Sequence, residues 1–232
     1  KNNRMINTKL SNLVNFTEYE NCLEKIGGNF IFEDNCVKLN NTFLRLPNIT
    51  KRIFDRKSYT IECMLKLNTI SQNNQTIFSF RGTNGNFDEN NQSNQYKNLR
   101  FFVNDNGQLT ITHTGSQYRT NYKLIPNNWY HVMASYDYLD KINNDNSSRT
   151  RNQYGEFNIY VNRQRAELVS INGQNNDPLT LESNNSYAQI GRFCSGNNNT
   201  NPINSLNGYL SNLYLTNYAK KCYYYPLKTS VN

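Results

Sequence analysis

Apolar and polar residues alternate along much of this chain with a period of two. The cleanest run is YTIECMLKL, residues 59–67. Tyr59, Ile61, Cys63, Leu65 and Leu67 share one face, and Thr60, Glu62, Met64 and Lys66 share the other. Side chains of a β-strand point alternately to opposite faces, so this pattern predicts a half-buried strand. WYHVMASYDY repeats it, with Tyr130, Val132, Ala134, Tyr136 and Tyr138 opposed to Trp129, His131, Met133, Ser135 and Asp137. EFNIYV sets Phe157, Ile159 and Val161 against Asn158, Tyr160 and Asn162. Asn162–Arg163 then reads as a two-residue turn, because Asn tolerates positive φ, and residues 165–169 as the return strand. KLSNLVNF carries a weaker strand signal, and QTIFSFRG (75–82) is a strand ending at Gly82. NLRFFVNDNGQLTITHT reads as a hairpin about Asn106–Gly107, and residues 115–128 as a connection entering Trp129 through a Pro-Asn-Asn turn. In NGYLSNLYLTNYA, Tyr209, Ser211, Leu213 and Leu215 alternate with Leu210, Asn212, Tyr214 and Thr216. Closely spaced strands, with no long helical pattern, internal repeat or dividing linker, predict one β-sandwich domain over residues 1–232.

The order of these segments resembles laminin-G-like domains of the concanavalin A-like lectin/glucanase superfamily. The resemblance centres on Trp129, His131, Val132, Ala134, Tyr136 and Asp137, followed after a polar gap by Ile159, Tyr160, Val161 and Asn162. Arg163 stands where that family usually has Gly, which bears on the turn rather than the fold. CVKLNNTFLRLP resembles a hairpin of the family, with Asn40–Asn41 at its turn; SYAQIGRFC resembles a late strand with Ile190–Gly191, and residues 207–219 the closing strand. The likeness covers roughly residues 30–220. It implies an all-β, two-sheet antiparallel jelly-roll with the first strand beside the last.

Composition alters this picture in three ways. The 45 asparagines lie mostly in loops such as NNDNSS and SGNNNTN, the signature of an AT-rich coding sequence rather than of a site. The chain opens on KNNRMINTKL, which reads as the start of a processed piece or an excised domain, and no apolar run approaches the roughly 18 residues of a membrane span. A net charge of +8 with pI near 9.2 suits an anionic partner, and a basic patch is expected at Lys51, Arg52, Arg56 and Lys57, with further clusters at 148–151, 162–165 and 219–221. Nucleic acid is disfavoured, because the aromatics alternate into strands instead of interleaving with these clusters. Five cysteines leave at least one outside any internal pairing. Cys63, on the apolar face of its strand, reads as a buried thiol. The other four can pair. The resemblance supports a bridge between Cys194 and Cys222 near the C-terminus, and Cys22 with Cys36 would close a short loop; both imply an oxidising, extracellular compartment. Eight glycosylation sequons are close to what chance supplies.

Candidate chemistry is sparse. Glycan-cutting enzymes of the superfamily place two carboxylates on one strand to flank a bond, and no such spacing exists here. His113 and His131 both fall in expected strands, and a His–Cys pair conflicts with a buried Cys63. The resemblance leaves calcium open, since relatives bind it at a rim; Asn98 stands where many have Asp, and Asp105 and Asp145 sit in turn and loop. Sugar binding would draw on aromatic platforms with amide and guanidinium donors, and Arg81, Asn84, Asn86 and Tyr96 with Arg149, Arg151 and Tyr154 supply these. The expectation is therefore a non-catalytic extracellular recognition or adhesion domain, a module of a larger surface or secreted protein, that binds glycan or protein. A binder of acidic glycans or gangliosides, resembling the lectin-like half of clostridial neurotoxin binding regions, is the rival. A structural spacer comes next, and a glycosidase last.

Overall fold

A strand with one apolar face must bury it, and a second sheet with the same need is the simplest partner. In the computed structural model that need is met by two stacked antiparallel sheets. The structure describes residues 13–14, 24–26, 31–33, 36–40, 42–46, 54, 57–81, 98–142, 151–172, 179, 188–193 and 204–221, with the backbone alone at 13–14, 24–26, 31–33, 46, 81, 98, 139–142 and 151–154. These form sixteen strands: β1 (Leu13–Val14), β2 (Glu24–Ile26), β3 (Ile31–Glu33), β4 (Cys36–Asn40), β5 (Phe43–Leu46), β6 (Tyr59–Leu67), β7 (Gln75–Arg81), β8 (Asn98–Val103), β9 (Gln108–His113), β10 (Ser116–Lys123), β11 (Trp129–Ile142), β12 (Arg151–Val161), β13 (Gln164–Arg165), β14 (Leu168–Asn172), β15 (Ala188–Ile190) and β16 (Asn207–Thr216). The first sheet runs β13-β12-β11-β6-β16-β4-β3, with β1 also on β16; the second runs β14-β10-β9-β8-β7-β15-β5-β2. β1 thus lies beside the last strand, as the resemblance implies.

The alternation read from sequence sets the core. Tyr59, Ile61, Cys63, Leu65 and Leu67 of β6 and Tyr130, Val132, Ala134 and Tyr136 of β11 face Phe78 and Phe80 of β7, Leu99, Phe101 and Val103 of β8, and Leu109 and Ile111 of β9. Phe54 sits inside the basic stretch 51–57 yet is fully buried, stacking on Phe80 at 5.1 Å and meeting Tyr59 edge-on at 5.1 Å. Burying a Phe is worth roughly 1.5–3 kcal/mol, enough to hold Phe54 in the core while Lys57 stays exposed. One polar group enters the layer. His113 is wholly buried among Tyr59, Tyr136 and Phe157, and its Nδ1 shares a 2.8 Å hydrogen bond with the Tyr59 hydroxyl. Cys63 is 1% exposed and burial pushes its thiol well up, as expected for an inert core cysteine.

Several expectations need correction. β4 and β5 do not form a hairpin: β4 pairs β16 and β3, whereas β5 pairs β15 and β2 in the other sheet. Two alternating runs separated by Asn-Asn look alike whether the chain doubles back or crosses between sheets. Residues 116–123 are a strand, β10, whose inward positions Ser116, Tyr118 and Thr120 are too polar to announce it. The expected return strand splits: β13 closes the Asn162–Arg163 turn, and the chain then crosses to pair β14 with β10. The Asn106–Gly107 hairpin uses a three-residue loop. Asn104 N donates to Gln108 O, Gly107 takes φ +79°, and Asn104 Oδ1 accepts from the amides of Asn106 and Gln108. In β16 the alternation breaks at Asn212, with φ +49°: Ser211 pairs Met64, but Tyr214 pairs Glu62. The extra residue is a bulge that turns both Leu210 and Leu213 into the core.

Candidate functional site

The outer face of the first sheet carries a row set by register across four adjacent strands. Trp129 of β11 is opposite Lys66 of β6, Lys66 is opposite Tyr209 of β16, and Tyr209 is opposite Lys38 of β4. All four point outward because their neighbours Tyr130, Leu65, Leu67, Leu210, Val37 and Leu39 point into the core. Strands lie about 4.8 Å apart, so the row spans roughly 14 Å. Aromatic and ammonium alternate along it. Lys66 Nζ stands 4.4 Å from the centre of the Tyr209 ring and 5.5 Å from that of Trp129, and Lys38 Nζ stands 5.6 Å from that of Tyr209. The two rings are 6.3 Å apart. Trp129, the sole tryptophan, is 42% exposed. Among the described ion pairs none brings a carboxylate to Lys38 or Lys66. The row therefore offers apolar ring faces and uncompensated positive charge side by side.

Further along the same face the Glu62 carboxyl meets two side chains, His131 Nε2 at 2.7 Å and Lys220 Nζ. Burial opposes ionisation there, yet the hydrogen bonds and charges of His131 and Lys220 outweigh it and hold the carboxyl down at about 2. Lys220 N also donates to Thr60 Oγ1, which donates in turn to Tyr218 O, so the segment after β16 is stitched back onto β6. His131 and Cys63 stand on opposite faces of one sheet, which separates the only nucleophile–base pairing the sequence suggested for His131. Asp137 and Glu156 are cross-strand partners. Their sequence separation hid this pairing. Each is committed to its own cation, Lys221 at 2.8 Å and Arg165 at 2.9 Å, and the Glu156 side chain is 49% exposed. Neither carboxylate of this pair is therefore free of a cation. The described residues contain no group of three His, Cys, Asp or Glu able to hold a metal, and Asp105 accepts from Asn106 Nδ2 within its turn.

Of the site residues expected from sequence, few lie among the described residues. Arg81 ends β7 opposite Asn98 in the second sheet, while Arg151 and Tyr154 lie in β12 opposite Ile142 and Leu139 in the first. Asn84, Asn86, Tyr96, Arg149, Asp145, Lys51, Arg52 and Arg56 lie outside the described residues, as do Cys22, Cys194 and Cys222. Cys36 is half-buried on β4. Sequence reasoning missed Lys38, Lys66 and Tyr209 as a group. Alternation shows each to be outward, but only the register of β4-β16-β6-β11 makes them neighbours.

A family model described as the concanavalin A-like lectin/glucanases superfamily matches residues 39–221. No curated protein matches the chain. Among solved structures, the NanB sialidase from Streptococcus pneumoniae superposes with TM-score 0.56 at 13% identity, covering 85% of this chain and 26% of that one. The binding domain of botulinum neurotoxin serotype D/C gives 0.51 at 14% identity, over 86% and 44%. The Trypanosoma rangeli sialidase gives 0.52 at 13% identity, over 87% and 28%. This chain spans less than half of each of these larger proteins, and at such identity the likeness is one of fold.

Proposed function

Given that the chain belongs to the concanavalin A-like lectin/glucanases superfamily, we propose that it is a non-catalytic recognition domain that binds an anionic glycan across the outer face of its first sheet. The row Trp129–Lys66–Tyr209–Lys38 carries this reading. A sugar ring has an apolar face that stacks on an indole or phenol, and its acid or sulfate groups pair with ammonium. The toxin binding domain and sialidases with which it shares a fold are in keeping with such a role. The domain acts outside the cell as a module of a larger surface or secreted protein. Bridges between Cys194 and Cys222 and between Cys22 and Cys36 belong to this reading, and peptide mapping without reductant checks them. No helix among the described residues is long and apolar enough to cross a membrane.

The decisive experiment is a binding assay on an array of neutral, carboxylated and sulfated glycans. The acidic chains should be retained, and Trp129→Ala or the pair Lys38→Ala with Lys66→Ala should cost about tenfold or more in affinity, since a stacked ring or a desolvated cation is worth about 1–2 kcal/mol. Binding unchanged in both variants would overturn the assignment to this row. Hydrolysis of a polysaccharide that is lost in Glu156→Gln would favour a glycosidase built on Asp137 and Glu156 instead.

A further inference from the structure

The second sheet has an outer face of a different kind. Its register lays a row of polar residues across six strands: Arg45, Gln189, Ser79, Arg100, Thr112 and Gln117 on β5, β15, β7, β8, β9 and β10. An exposed sheet face is commonly polar, but the middle of this row is buried. Arg100 is 8% exposed, Gln189 7% and Ser79 wholly buried. The Arg100 guanidinium is clamped between two rings, its carbon 4.1 Å from the centre of Phe102 and 4.6 Å from that of Phe193. Its Nε donates to Thr76 Oγ1 at 3.0 Å, which fixes the rotation of the fork. One terminal nitrogen of that fork nevertheless has no hydrogen-bond partner, and neither has Gln189 Oε1. Arg119 Nε, two residues further along β10 than Gln117, is a third buried polar atom without one.

Burial pulls the Arg100 guanidinium down to about 9, so it keeps its charge at neutral pH, and no described ion pair supplies a counter-ion. A buried cation left uncompensated is among the most costly arrangements in a protein interior. A rigid planar fork stacked on aromatic rings is, by contrast, the arrangement best suited to a two-point bond with a carboxylate. Gln189 adds the complementary requirement. Its carbonyl seeks a donor, which a bare anion lacks and a hydroxyl provides. Thr112 and Gln117 extend the row beyond Arg100 with groups that bond hydroxyls, while the Ser79 hydroxyl on the other side is already committed to Arg192 O at 2.7 Å.

We infer that this face holds a second site, separate from the Trp129 row, whose Arg100 guanidinium takes the carboxylate of a hydroxylated acid while the flanking amides and hydroxyls take its hydroxyl groups. Such an acid is either the acidic residue of a glycan or a free small hydroxy acid. The site does not depend on the Trp129 row, and the two fail separately.

Thermal unfolding and calorimetric titration of the whole chain test this, with glucuronate, lactate, glucose, acetate and inorganic sulfate as probes. Glucuronate should raise the unfolding temperature in a dose-dependent way and glucose should not. An equal response to lactate identifies the source as a free hydroxy acid, and a response to glucuronate alone identifies a sugar acid. Arg100→Lys keeps the charge and stem but loses the fork, and should weaken glucuronate at least tenfold. Should that variant unfold, Gln189→Leu, which removes the acceptor and keeps the size, should weaken glucuronate while leaving acetate unaffected. The inference is overturned if glucuronate produces no shift, if acetate or sulfate matches it, or if it persists undiminished in Arg100→Lys and Gln189→Leu alike.

Discussion

At the scale of single residues, Glu62 is the most strongly tuned carboxylate described. Its folded pKa of about 2 lies below the ordinary 4.5. The stabilisation is therefore present above the ordinary value and is lost as pH falls from about 5 towards 2. Glu62→Gln should cost about 2–3 kcal/mol at neutral pH and flatten the acid limb of the stability curve between those values, as read by urea denaturation at a series of pH values. Protease cleavage near residues 217–221 should quicken in the same variant, since Lys220 loses its anchor. Gly155 makes a steric demand. A Cβ there would lie 1.9 Å from the Tyr136 ring, which is wholly buried and packed on Tyr59 and His113. Gly155→Ala should lower stability by about 2 kcal/mol, in the range of overpacked cores, and spare Trp129 and the binding face in the same sheet.

At the scale of elements, one turn carries strain that substitution should reveal. Asn162 and Arg163 have φ of +49° and +68°, the two-residue hairpin geometry that Gly at the second position serves best. Arg163→Gly should raise stability by about 1 kcal/mol, the cost of holding a side chain in the left-handed region, measured by thermal unfolding. The Asn212 bulge behaves differently. Asn212→Gly should be close to neutral, whereas deletion of Asn212 should unfold the domain, because Leu213 and Leu215 would turn outward from β16. These elements also show what the sequence disclosed. β6, β11 and β12 were legible because one face of each is uniformly apolar, and the Asn162–Arg163 turn because Asn favours positive φ. β10 was hidden by Ser116 and Thr120, which are buried yet polar. The bulge was hidden because one inserted residue leaves the local pattern looking regular. The site was legible only in part. Lys66 and Trp129 could be placed outward from alternation alone, but their junction with Tyr209 and Lys38 depends on pairings between residues up to 171 positions apart in the chain, from Lys38 to Tyr209.

At the scale of the molecule, the two candidate sites lie on opposite outer faces of the sandwich, so occupancy of one leaves the other open. They should answer differently to salt. Charges on the half-exposed Trp129 row are screened within a Debye length of about 8 Å at physiological ionic strength, whereas a cation enclosed like Arg100 is screened much less. Affinity for an acidic polysaccharide should therefore fall steeply between low and moderate salt, and that for a small acid at Arg100 only slightly. The net charge of +8 adds a long-range attraction that speeds the first encounter without choosing the site.

The indole of Trp129 is the sole one in 232 residues, and it stands 42% exposed beside an ammonium group in the row described above. The protein thus has a built-in optical reporter at a single known location. Excitation at the red edge of the absorption band should yield emission from that ring alone, blue-shifting and resisting iodide quenching as a polymer settles over it. Occupation of the far sheet should leave the spectrum unmoved.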